Sequence, residues 1–156
     1  MEAPMEAEGA AAVRCSNGEV GAVASQDWDT LLYGAPVMVR NLTSHGTRKF
    51  GRVLRAEKIV LKDTLTKHEI SHKQLVDLGI MIGTDFHPGI KGIGPKTGLK
   101  LIKTHGTLEK VAEAKGFEPP EQLEEIRNLF LQHPTSSDNI PPSTLAVEEK
   151  LRTFLV

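Results

Sequence analysis

The chain has 156 residues, 25% of them charged and 39% hydrophobic, with a formal net charge of −1 and one cysteine. That length allows one domain with a real core, or a larger lobe carrying a helical appendix. The lone Cys15 excludes an internal disulfide and fits a reducing compartment; with no apolar run near about 18 residues and no signal-peptide pattern, the sequence reads as soluble and intracellular, without a membrane partner.

Residues 6–15 read as an alanine-rich helix stopped by Asn17-Gly18. The apolar run 20–25 then has strand length, and its place after a helix suggests a buried parallel strand of an α/β sheet. Gln26-Asp27-Trp28-Asp29 breaks it, 30–33 makes about one helical turn, and 37–42 reads as the next strand. Polar and glycine-punctuated, 43–55 reads as a surface hairpin or edge loop; its Arg48, Lys49, Arg52 and Arg55 would either follow a nucleic-acid backbone or simply be solvated. The stretch 58–65 fits a strand end and a short helix equally. Ser71 is placed to cap a helix over 72–82, with apolar residues at 75, 76, 78, 80 and 82.

Pro95 sits in the first turn of a further helix with Leu99, Leu101 and Ile102 as its apolar face and Gly106 past its end. Thr107 caps a helix to about Ala114, and Pro119-Pro120 opens one through Leu123, Ile126, Leu129 and Phe130 that ends before Pro134. Residues 135–144 read as an irregular crossing segment and 147–155 as a last amphipathic piece. The chain thus divides into an α/β part over 1–70, a helical part over 71–134 and a terminal segment over 135–156.

Charge is spread unevenly. Residues 1–30 hold six acids against Arg14 alone, 31–60 hold six Lys or Arg against Glu57 alone, and 88–108 hold four lysines and no acid. Acidic blocks suit cations and basic blocks a polyanion, although segregated solvated faces would look the same. The acids come at paired spacing: Glu6 with Glu8, and Asp27 with Asp29. Residues i and i+2 share a side in extended backbone but diverge on a helix, so each pair converges only at a strand end or in a turn. Asp27 and Asp29 fall just past a strand, where sites of open α/β sheets gather. If both pairs met Asp85, their repulsion would call for cations, and an all-oxygen donor set favours Mg²⁺ or Mn²⁺ over zinc. Taken singly, Glu6 and Glu8 also read as first-turn acids, Asp27 or Asp29 as a cap, and Asp85 as a turn residue.

Residues 90–98, Ile-Lys-Gly-Ile-Gly-Pro-Lys-Thr-Gly, show the apolar-x-Gly-apolar-Gly pattern of a helix-hairpin-helix. Its glycines allow close backbone approach to a phosphate, and its N–H groups and helix N-terminus favour an anion. Lys91, Gly92, Gly94, Lys96, Thr97 and Lys100 would then bind DNA without reading bases. A nucleotide-binding glycine loop and a structural turn are the rival readings.

The succession A-P-M-E-A-E-G, S-Q-D-W-D-T-L-L-Y-G-A-P, V-R-N-L-T, M-I-G-T-D-F and G-I-K-G-I-G-P-K resembles the flap endonucleases, the structure-specific 5′-nucleases of replication and repair, most of all their archaeal branch. The resemblance implies an α/β fold, a partial parallel sheet of a PIN-like nuclease domain, followed by an α-helical helix-hairpin-helix (helix-three-turn-helix) subdomain. It implies two Mg²⁺ ions, with Mn²⁺ as a substitute, held by acids matched here by Glu6, Glu8, Asp27, Asp29 and Asp85, and cleavage of branched or flapped duplex DNA. It also implies a K⁺ ion held by carbonyls of Gly89, Ile90 and Ile93, though Gly89 stands where some members offer a serine hydroxyl.

Members carry, ahead of the stretch matching Met1, further metal-binding aspartates, a basic residue at the scissile phosphate and a helical arch. Many also end in a sliding-clamp-binding tail, and this chain shows no such motif. The expectation is therefore a C-terminal part of such an enzyme, from a truncated gene or a split enzyme. Such a part would be weakly active or inactive alone and would take a separate N-terminal portion as partner. The alternative is a non-catalytic, sequence-independent duplex-binding module. The compartment would be the cytoplasm or nucleoid in an archaeon and the nucleus in a eukaryote.

Overall fold

Small residues dominate the first turns of α1 (Ala7–Ser16), which bury Ala10 and Ala12 against the sheet side of the molecule. The helix stops as expected, at Asn17 followed by Gly18 with φ of 76°. The computed structural model describes residues 5–44, 46, 48–49 and 51–134, so the expected crossing segment and terminal piece over 135–156 lie outside the described residues.

β1 (Val23–Ala24) and β2 (Val37–Arg40) pair in parallel, Val23 opposite Met38, with α2 (Asp29–Leu32) as the crossover between them. The expected strand over 20–25 narrows to two paired residues. β5 (Glu57–Val60) joins the other edge of β2 antiparallel, Val37 opposite Val60 and Arg40 opposite Glu57, so the sheet is mixed, in the order β1-β2-β5. The reason lies in the connection: 41–56 is taken up by a hairpin of β3 (Arg48–Lys49) and β4 (Arg52–Val53). Among its described residues there is no helix to carry the chain back to the far end of the sheet, as a parallel partner requires. The ambiguous stretch 58–65 turns out to be both alternatives, because β5 passes directly into α3 (Leu61–His68) with no turn residue between.

α4 (His72–Ile82) has the expected bounds and a full capping box: Gln74 N–H donates to Ser71 Oγ at 3.2 Å, and Ser71 N–H donates to Gln74 Oε1 at 2.8 Å. α5 (Pro95–His105) begins on its proline, α6 (Leu108–Lys115) is capped by Thr107, and α7 (Leu123–Leu131) follows. α4 is the hub, packing against α2, α5, α6 and α7. Its Val76, Ile80 and Met81 are fully buried in a core that runs without a break from Ala12 to Phe130. Gly79 makes the close approach to α2 possible, since a Cβ there would lie 2.7 Å from Leu32 Cδ1. His72 adds a polar tie, its Nε2 standing 2.8 Å from the Leu32 carbonyl.

Inside the helical part, Asp77 and Arg127 form a buried ion pair, each 1% exposed at the side chain. Arg127 Nε donates to Asp77 Oδ1 at 2.6 Å and Nη2 to Oδ2 at 2.8 Å, while Leu108 N–H at the start of α6 donates to the same Oδ2 at 3.0 Å. Glu109 and Glu124 also accept from the guanidinium. The pair therefore links α4, α6 and α7.

Removing one member leaves a buried, unpaired charge, which costs about 3–5 kcal/mol. Arg127→Met is expected to lower stability in urea titrations by that amount, and adding Asp77→Asn is expected to restore part of it. The bond to Arg127 holds the Glu109 carboxyl at about 2, below its ordinary 4.5. Its contribution to stability is therefore complete above pH 4.5 and is lost as pH falls toward 2. Acid unfolding of Arg127→Met should lack this component.

Candidate functional site

Each acid is brought to one place by a different local device. Glu6 is the N-cap of α1, in extended backbone (φ −66°, ψ 133°), and Glu8 lies in the first turn. The pair thus straddles the helix start, which frees it from the divergence that a helix interior imposes. Asp27 follows β1 and Asp29 opens α2. Ser25 Oγ accepts the Asp27 N–H at 3.0 Å, and Asp27 Oδ1 accepts the Asp29 N–H, also at 3.0 Å. Asp85 stands in a tight turn where Thr84 N–H donates to the His87 carbonyl at 2.8 Å and His87 N–H returns to the Thr84 carbonyl at 3.2 Å.

All five carboxylates line one narrow crevice, together with Tyr33 and Phe86. The last two were not singled out from the sequence. For Tyr33 a signal existed: it is four residues past Asp29 and so on the same face of the short helix. Among the described residues no lysine, arginine or histidine pairs with any of the five acids. Burial, followed by the charges of Asp27, Asp85 and Glu8, pushes the Asp29 carboxyl up to about 6. Burial, followed by the charges of Glu6, Asp29, Glu8 and Asp27, raises the Tyr33 phenol. The donors are all oxygen, the set that suits Mg²⁺ or Mn²⁺. Among the described residues no three of them close on a single point as they stand, and like-charge repulsion opposes such closure until a cation enters. A wider groove of about 660 Å³ at the start of β2 is lined mainly by apolar side chains with Lys62 and Glu69, so it has volume without a donor cluster.

The glycine hairpin begins four residues after Asp85. Gly89 has φ of 84°, and a Cβ there would lie 2.4 Å from the Ile82 carbonyl oxygen, so only glycine fits over the end of α4. Ile90 N–H donates to the Met81 carbonyl at 2.8 Å, and Ile93 N–H closes the turn on the Ile90 carbonyl at 3.0 Å. Of the carbonyls expected to face K⁺, that of Ile90 is therefore already used once. Lys91, Gly92, Gly94, Lys96, Thr97 and Lys100 are all exposed. Lys96, Thr97 and Lys100 border a groove with Thr104, His105 and Lys115. Lys115 comes from the end of α6, and nothing in the local sequence pattern connected it to this surface.

This is the fold of the flap endonuclease and Rad2 type. The solved structure of flap endonuclease-1 from Methanococcus jannaschii matches with a TM-score of 0.80 at 36% identity, covering 99% of this chain and 46% of that one. The catalytic core of Rad2 in complex with DNA substrate shares the fold at a TM-score of 0.80 and 18% identity, over 99% of this chain and 58% of that one. The chain belongs to the XPG I-region family, whose model matches residues 1–85. Among curated relatives, flap endonuclease 1 of Methanothrix thermoacetophila is 47% identical over 144 residues, 89% of this chain and 42% of the relative. That of Staphylothermus marinus is 41% identical over 163 residues, 100% of this chain and 47% of the relative. The chain thus spans less than half the length of these relatives.

Asp29 gives the crevice a measurable signature. In metal-free buffer its carboxyl is expected to titrate with a midpoint near 6, followed by side-chain ¹³C NMR, and Asp27→Asn should move the midpoint down. Because the folded value lies above the ordinary 3.8, the folded chain holds the proton more tightly. Stability should therefore fall as pH rises from 3.8 to about 6 and stay level beyond. A wild-type midpoint near 3.8 would contradict the convergence of the acids.

Proposed function

We propose that this chain is the metal-bearing, duplex-gripping part of a metal-dependent nuclease that cuts 5′ flaps in branched DNA. The observation that carries the reading is the gathering of five carboxylates, without a basic partner among the described residues, in one crevice joined through the Asp85 turn to an exposed, lysine-bearing glycine hairpin. Relatives named flap endonuclease 1 and the Rad2 core solved with DNA substrate support the substrate class. Because the chain spans less than half the length of the curated flap endonuclease 1 relatives, cleavage is proposed for it together with polypeptide corresponding to the rest of them.

Glu6, Glu8, Asp27, Asp29 and Asp85 would hold divalent cations, Mg²⁺ or Mn²⁺, which when bound activate water and stabilise charge at a phosphodiester. Asp29 must lose its proton before it can serve as a ligand, so its occupancy rises with pH through about 6. The Asp27 oxygen that accepts the Asp29 N–H fixes the turn, leaving its other oxygen for the crevice. At the hairpin, backbone N–H groups near Gly92 and Gly94 and the N-terminus of α5 would hold a duplex phosphate, with Lys91, Lys96, Thr97 and Lys100 around it. Carbonyls of Gly89, Ile90 and Ile93 would hold a K⁺ ion against that phosphate. Such contacts position the duplex and carry no base information.

Mn²⁺ titration followed by electron paramagnetic resonance is expected to show saturable binding that Asp27→Ala and Asp29→Ala each weaken. Absence of any saturable phase would leave only a non-catalytic duplex-binding module. Lys96→Ala is expected to weaken flapped-duplex binding equally across sequences and to lower the slope of log K against log salt by about one. An unchanged slope would take Lys96 away from the phosphate.

A further inference from the structure

Trp28 is the only tryptophan of the chain, and it lies between the two aspartates that wall the crevice. Its ring is not in the core: Trp28 remains 51% exposed, the largest aromatic surface offered to solvent among the described residues. One part of the indole is covered, because the Arg40 guanidinium carbon stands 4.0 Å from the ring centroid. Arg40 comes from the C-terminal end of β2, beside the parallel end of β1 that leads into the Asp27 turn.

The pairing leaves the arginine largely unspent. Among the described residues no carboxylate pairs with it, its Nε is buried without a hydrogen-bond partner, and its bond from Nη2 to the Gln26 carbonyl is long at 3.5 Å. An exposed indole backed by an unneutralised guanidinium offers a stacking surface and a positive charge side by side. Those are the two groups that hold an unpaired nucleotide, the ring taking the base and the cation its phosphate. Only one backbone step, about 3.8 Å between Cα atoms, separates Trp28 from each flanking aspartate. Neither side chain lines the crevice itself, so a nucleotide held there would lie against the turn that carries the two aspartates.

We infer that Trp28 and Arg40 form a stacking site for an unpaired nucleobase beside the turn that carries Asp27 and Asp29. The inference rests on the nucleic-acid reading above and adds a contact to the base, where the hairpin would meet phosphate alone. If the pair served only as a brace between the Asp27 turn and β2, the ring would gain nothing from its exposure and would not respond to bases.

Because the chain has no other tryptophan, indole emission excited on the red side of tyrosine absorption reports on this ring alone. In metal-free buffer, with chelator present to prevent cleavage, the chain is titrated with oligothymidylate and with an abasic phosphodiester oligomer of equal length. Anisotropy of a labelled flapped duplex is followed in parallel. Saturable quenching by oligothymidylate with little from the abasic oligomer is expected. Trp28→Ala should weaken oligothymidylate binding about fivefold to a hundredfold or more, the range for one stacked base, while Trp28→Phe, which keeps a stacking face and the fold, should retain most of it.

Equal quenching by both oligomers, or equal loss in the Phe and Ala variants, overturns stacking in favour of a backbone contact. No quenching while the flapped duplex still binds overturns this inference and leaves the nucleic-acid reading standing. Failure of every DNA to bind removes both.

Discussion

Two carboxylates about 4 Å apart repel by roughly 4 kcal/mol at an effective dielectric near 20, and five of them line this crevice with no basic partner among the described residues. Such a crevice does not hold itself together, so the elements that bear the acids must be fastened elsewhere. Phe130 of α7 does much of the fastening. Its ring lies 4.9 Å from that of Tyr33 and 5.5 Å from that of Phe86. Tyr33 follows Asp29 by one helical turn and Phe86 follows Asp85 directly, so one buried ring, 1% exposed, joins two walls of the crevice. Burying a phenylalanine contributes about 1.5–3 kcal/mol and each aromatic pair about 0.5–1.5. These sums are of the same order as the repulsion of one such pair.

α7 could not place that ring unless it were itself fixed, and here the buried ion pair enters. Arg127 is three residues before Phe130 on the same helix and reaches into α4 at Asp77. Paired charges in the interior therefore hold the aromatic ring that holds the unpaired charges at the crevice. The fold keeps two electrostatic environments apart. In one, every oxygen of Asp77 has a donor; in the other, Asp29 is left to hold a proton up to about pH 6.

What could be read from the sequence was what local chemistry marks. Ser71, Pro95 and Gly106 carried the bounds of α4 and α5, because caps and breakers act within a turn of where they stand. The paired spacing of Glu6 with Glu8 and Asp27 with Asp29 carried the crevice, since only ends and turns let such pairs converge. The antiparallel placement of β5 was not legible, because strand direction depends on where the hairpin over 48–53 sends the chain and not on the residues of the strand. Nor was the Asp77–Arg127 pair, whose members are fifty residues apart and look individually like surface charges. Lys115 was missed for the same reason: its neighbours in space are on α5.

The relation between the crevice and the hairpin depends on a single junction. Asp85 and the glycine turn both hang from the last turn of α4: Gly83 N–H bonds back to Gly79, and Ile90 N–H bonds back to Met81 at 2.8 Å. Between these ties the chain makes a closed loop, with Thr84 and His87 paired across its base and Gly89 lying against the Ile82 carbonyl. A loop closed at both ends on one helix turn cannot change length, so the carboxylate and the hairpin keep a fixed separation. Gly89 is the position on which this depends. Its left-handed φ and its 2.4 Å approach to backbone leave no space for a side chain, and any Cβ there would force the hairpin off α4. The backbone, more than any charged side chain, fixes the distance from the hairpin surface to the acids.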